Sequence, residues 1–159
     1  ELKKARPEDI NLDVCIGDKT EKMSFYEPGD SQAASLLENF ARKKIVDRWR
    51  KITMREVQVL TLKDLFDQFL KTEIDFIVID AEGMEFEILK SNDWDTYRPK
   101  ALIIETVHHD YKEIVDYLGK LGYIVVYNNY LNSIFVDKYY FKNDVRFDVR
   151  ENRPQVIQK

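Results

Sequence analysis

The sequence predicts an α/β fold, a sandwich with a largely parallel sheet and an antiparallel edge. Three observations point there. The runs Phe76-Ile77-Val78-Ile79 and Ala101-Leu102-Ile103-Ile104 are continuously apolar, as strands covered on both faces are. Stretches with apolar residues at helical spacing separate the strand-like runs. Two further strand-like runs, Tyr123 to Tyr127 and Ser133 to Val136, flank an Asn-rich turn and read as a closing hairpin.

In chain order, Ile10 to Ile16 starts in alternation and stops at Gly17, which reads as a strand and a turn. Lys22 to Tyr26 is a second strand, followed by the turn chemistry of Glu27-Pro28-Gly29-Asp30. Ser31 is placed to cap a helix with Ala33, Leu36, Leu37 and Phe40 on one face. Arg55 to Leu60 reads as a strand, and Thr61 with Asp64 as the start of a helix striped by Leu62, Leu65, Phe66, Phe69 and Leu70. The strand Ile74 to Asp80 turns through Ala81-Glu82-Gly83 into a short helix ending near Leu89. After Pro99 comes the strand ending at Glu105. Asp110 and Glu113 have capping-box spacing and open a helix with Tyr111, Ile114, Val115 and Leu118 on one face, stopped by Gly119 or Gly122. Residues 138–159 lack a period and read as a tail to a domain spanning 1–137.

Composition narrows the class. The 159 residues carry 25 Lys plus Arg against 29 Asp plus Glu, a net charge of −4, which argues against nucleic-acid or membrane coating. With 44% hydrophobic residues the chain has enough apolar surface to fold. Its apolar runs are too short to span a bilayer and no charged-then-apolar leader opens it. The single cysteine, Cys15, excludes an intramolecular disulfide and a cysteine zinc site, so a reducing, cytoplasmic setting is expected.

Ligands of open α/β sheets sit beyond the carboxyl ends of parallel strands. Two such ends carry acids here: Asp80 with Glu82, and Glu105 with His108 and His109 close behind. If the strands are neighbours these side chains converge on a substrate, a cofactor or a divalent ion. The alternative is that Asp80 and Glu82 only cap the helix that follows. An imidazole titrates near neutrality and can take a hydroxyl proton, with His108 nearer the strand end than His109. Ala41 to Lys51 gathers six positive charges against one negative around Trp49, either an anion patch or a solvated face. No Walker motif, Gly-x-Gly-x-x-Gly turn or Gly-x-Ser-x-Gly elbow occurs.

The block from Ile74 through Asp80-Ala81-Glu82-Gly83-Met84-Glu85, then Ile88-Leu89-Lys90, then Arg98-Pro99 leading to Glu105, resembles the FkbM family of methyltransferases. Asp13 to Lys19, Phe25-Tyr26 and Val59 to Leu62 occur in that family's order, so the resemblance runs from about Ile10 to Val136. It implies a Rossmann-like three-layer sandwich that binds S-adenosylmethionine and methylates a hydroxyl of a sugar or secondary metabolite. It also implies that Cys15 and Ile16 lie beside the adenine. Asp80 would face donor and acceptor, and Glu82, Glu105 and His108 would shape the acceptor pocket or handle its proton; no residue is assigned to a metal.

The family's Gly-rich Asp-x-Gly-x-x-x-Gly turn and the acid ending its second strand are not among these residues, and none of the 5 glycines forms such a turn. The chain therefore reads as a C-terminal part, expected to bind the donor poorly alone. The family's first strands would lie between the Ile10 strand and the Ile74 strand. Without them, those two strands either pair directly or leave edges open to another copy. Two rival readings stand beside this one. In one, Asp80, Glu82 and Glu105 hold Mg²⁺ for phosphate-ester chemistry; in the other, the chain is a non-catalytic interaction module.

Overall fold

A computed structural model describes residues 2–29, 34–43 and 51–143. Ser31, Ala33, most of the basic run with Trp49, and the tail beyond Asn143 lie outside the described residues. The described chain is mixed α/β and divides into two compact units: Glu1–Thr72 with Glu87–Asp93, and Glu73–Phe86 with Trp94–Lys159.

The first unit opens with a single turn, α1 (Leu2–Ala5), and holds the strands β1 (Cys15–Ile16), β2 (Glu21–Pro28) and β3 (Ile52–Leu60) in the order β1-β3-β2. β2 and β3 run antiparallel, Glu21 opposite Val59 and Pro28 opposite Ile52, whereas β1 is parallel to β3. Only the last two residues of the expected Ile10 strand pair. Ile10 and Leu12 stay exposed, so their alternation buries no face. The helix expected from Ser31 is the shorter α2 (Glu38–Lys43). Leu36 is buried ahead of it, while Ser35 pairs with Tyr26 through both backbone bonds and accepts the Leu37 N–H at 3.0 Å.

α3 (Leu62–Phe69) starts where the capping signal puts it: Thr61 accepts the Asp64 N–H at 3.0 Å. Thr20 bonds to the Asp64 carboxylate and receives the Thr61 N–H, tying the β1–β2 turn to this helix start. Asp64 lies below the usual carboxylate range, chiefly through the Thr20 hydroxyl and then that of Thr61. Leu62 and Phe66 enter the core with Val57, Val59, Ile88 and Leu89. Thr61→Ala is expected to lower stability by about 1 kcal/mol through loss of the cap, read as a shift in urea midpoint at unchanged slope.

The second unit contains β4 (Phe76–Ile79), the start of α4 (Glu85–Lys90), β5 (Ala101–Glu105), α5 (Tyr111–Lys120), β6 (Tyr123–Asn128), β7 (Asn132–Asp137) and α6 (Lys138–Asn143). Its sheet runs β4-β5-β7-β6, with β4 parallel to β5 and the other pairs antiparallel. α5 begins at its cap Asp110, which accepts the Lys112 N–H, and stops before Gly122 at φ +92°, a conformation that favours glycine. Leu102, Ile104, Ile114, Leu118, Phe135 and Val136 form the core, each worth roughly 1.5–3 kcal/mol of burial. Tyr123 donates its buried hydroxyl to Pro99 O at 2.7 Å, and burial pushes its pKa up.

Several expectations change here. β4 is not covered on both faces: it is an edge strand, with Phe76 63% and Val78 58% exposed. An unbroken apolar run reports the burial its residues can tolerate, whether or not a layer lies over each face. β1 ends the sheet of the first unit, as β4 ends that of the second. Among the described strands three pairings are antiparallel and two parallel, in two sheets rather than one. The aperiodic tail begins with a short helix, α6, whose Tyr139 N–H is capped by Asp137 at 2.8 Å.

Candidate functional site

Parallel pairing places Ile79 beside Ile104, so the ends of β4 and β5 lie side by side and the acids that follow them converge. Glu105, the last residue of β5, lies opposite Asn132 of β7. Glu82 sits in the β4–α4 turn at φ +50°, followed by Gly83 at φ +100°. His108 Nε2 lies 3.9 Å from Glu82 Oε2 and 3.7 Å from Glu105 Oε2. The two glutamate side chains are 22% and 18% exposed and that of His108 22%, while both Oε2 atoms are shielded from solvent. One donor atom from each of these three residues falls within 4.8 Å of the others; Asp80, Glu85 and Glu105 form a second such group.

The β4–α4 turn owes its shape to a residue that sequence reasoning passed over. Glu85 is completely buried and accepts the Ala81 N–H at 2.7 Å and the Gly83 N–H at 3.0 Å. It also bonds to His109 Nε2. Burial alone would raise the Glu85 pKa; the His109 bond and the backbone N–H groups outweigh it and hold the carboxyl below its ordinary value. Glu85 therefore joins the turn carrying Glu82 to the β5–α5 loop carrying His108. The same loop is tethered through Thr106, whose N–H meets Leu131 O at 2.7 Å and whose hydroxyl meets Ser133 Oγ at 3.0 Å. A clue was present: a glutamate entering a helix just past a Glu-Gly turn can reach back to orphan N–H groups. These bonds also alter the helix-cap reading of Asp80 and Glu82, since the carboxylate taking the turn's N–H groups is Glu85.

Of the residues singled out from sequence, the structure brings Glu82, Glu105 and His108 together and places Asp80, exposed, at the end of β4. Cys15 and Ile16 belong to β1 of the first unit, paired with Val59 and Leu60. The half-buried Cys15 thiol has a raised pKa, chiefly from burial, and is held neutral. Among the described residues no helix is long and apolar enough to cross a membrane.

An α/β chain with acids and an imidazole gathered at the carboxyl ends of paired parallel strands has the layout of an enzyme that works on a bound small molecule. The methyltransferase FkbM domain matches residues 1–125, and the chain belongs to that family. No curated protein and no solved structure matches it.

Proposed function

We propose that this chain supplies the acceptor side of an S-adenosylmethionine-dependent O-methyltransferase acting on a hydroxyl of a sugar or secondary metabolite. The observation that carries this reading is the convergence of Glu82, Glu105 and His108 beyond neighbouring parallel strands in a chain of this family. On this reading the fold is a Rossmann-like methyltransferase.

The residues present suit a cationic donor at one end and a hydroxyl at the other. Asp80 places an exposed carboxylate at the tip of β4, where a positive sulfonium is favoured. By family position Cys15 and Ile16 would flank the adenine, and a neutral, half-buried thiol suits that apolar contact. When bound, S-adenosylmethionine supplies a methyl group whose bond to sulfur breaks as the bond to oxygen forms, leaving S-adenosylhomocysteine. The chain's own task is to fix the acceptor oxygen and remove its proton. Glu105, at the end of a rigid strand, orients the hydroxyl; Glu82 or His108 takes the proton as the oxygen becomes nucleophilic. The partly shielded setting of these groups strengthens each hydrogen bond to the acceptor.

The test is calorimetric titration of S-adenosylhomocysteine into the polypeptide as encoded and into its Asp80→Asn variant. Saturable binding weakened about tenfold or more by the substitution is the expected result. Saturable binding indifferent to Asp80 would remove that residue from the donor site. No binding at all would overturn the reading.

A further inference from the structure

We infer that Glu82, Glu105 and His108 form a binding site for a divalent transition-metal ion of the Mn²⁺, Fe²⁺, Co²⁺ or Zn²⁺ class. The three groups come from three separate places: the β4–α4 turn, the end of β5 and the loop after it. They converge on one point. His108 Nε2 is nearly equidistant from Glu82 Oε2 at 3.9 Å and Glu105 Oε2 at 3.7 Å, and the group spans no more than 4.8 Å. Neither separation is a hydrogen bond, which closes at roughly 3.2 Å or less. A point equidistant from three atoms so spaced lies about 2.1–2.5 Å from each, the range of metal bonds to carboxylate oxygen and imidazole nitrogen.

Electrostatics asks for the same thing. Two carboxylates, each with an oxygen shielded from water, converge with an imidazole within 4.8 Å and present a concentration of negative charge that favours a cation. The neighbouring group of Asp80, Glu85 and Glu105 is a poorer cage, because Glu85 is already committed to His109, Ala81 and Gly83. That commitment serves the first group: it pins the turn carrying Glu82 to the loop carrying His108, which holds ligands in place as outer bonds around metal sites do. The imidazole in the donor set favours a transition ion over Mg²⁺, whose sites are built from oxygen ligands. Three protein ligands leave coordination positions open. There the acceptor hydroxyl, or a neighbouring pair of hydroxyls, would bind and lose its proton to water more readily, the ion then standing between the hydroxyl and the Glu82 and His108 atoms that take that proton directly when no ion is bound. This role rests on the methyl-transfer reading; the ion's binding does not.

The test is direct titration of chelator-treated protein with Zn²⁺ and with Mn²⁺ at pH 8, where metal ions compete least with protons for imidazole and carboxylate ligands. One equivalent is expected to bind, at least ~10-fold more weakly in Glu105→Gln and in His108→Ala and unchanged in Glu73→Gln, an exposed carboxylate near Lys100. The unaltered protein gives a second reading that does not depend on any variant folding: Zn²⁺ should protect His108 from diethyl pyrocarbonate, mapped by peptide mass. Absence of stoichiometric binding, binding indifferent to both substitutions, or equal modification of His108 with and without Zn²⁺ would each overturn the inference. S-adenosylhomocysteine titration of the polypeptide as encoded separates the two claims. Cofactor binding without metal binding removes the ion and leaves the methyltransferase; metal binding without cofactor binding does the reverse.

Discussion

Replacing Glu85 by alanine is expected to destabilise the second unit by about 3–5 kcal/mol, the largest single effect available in this site. The side chain is wholly buried, and its removal strips partners from the Ala81 and Gly83 N–H groups and from His109 at once. Each buried donor left without an acceptor costs roughly 1–3 kcal/mol. Denaturation in urea should show the loss as a lower midpoint. The pH dependence follows from the same contacts. Because the folded-state pKa of Glu85 is depressed, its stabilisation is present above the ordinary carboxylate range and disappears as pH falls through the folded value. Glu85→Gln keeps the shape but cannot ionise, so its stability should fall less steeply on the acid side of about pH 4 than that of the parent. An identical acid slope in the two proteins would contradict the assignment.

The second large effect concerns chemistry rather than stability. Glu105→Gln is expected to lower the rate of methyl transfer by about 10²–10³-fold with little change in the urea midpoint. The variant preserves a carbonyl oxygen at the end of β5 but cannot hold the charge that orients and polarises the acceptor hydroxyl. His108→Ala should act in the same direction and combine with Glu105→Gln less than multiplicatively, since the two groups work on one oxygen. Initial rates of label transfer from S-adenosylmethionine, measured at saturating acceptor, check both. Retained rates in both variants would move the acceptor site elsewhere.

Much of the second unit could be read from the chain, because the sequence carries strong local signals there. The cap and stripe of α5, the Gly122 stop and the hairpin around Asn129 are set by neighbours in sequence, so the structure follows them. Thr61 and Asp64 were equally plain. The pairing of β4 with β5 was the conditional step, and once it holds, Glu82, Glu105 and His108 must meet.

What the sequence hid is non-local. Phe76 and Val78 look like core residues from their chemistry, yet their exposure depends on which elements cover β4, and no periodicity encodes that. The Ile10 strand failed for a related reason: alternation promises a strand only where a partner exists, and of the Ile10–Ile16 run β3 pairs with Cys15 and Ile16 alone. Glu85 was quoted as a motif letter, but its role comes from His109, 24 positions away, which folding brings to it.

The measurement that tests the central claim most directly is transfer of an isotopically labelled methyl group from S-adenosylmethionine. The polypeptide as encoded would be offered a panel of sugars and polyhydroxylated metabolites, with the Glu105→Gln variant run beside it. The account predicts a labelled methyl ether on one hydroxyl of at least one acceptor, with its formation nearly abolished in the variant. Label appearing on nitrogen, or on oxygen at equal rates in both proteins, would contradict it.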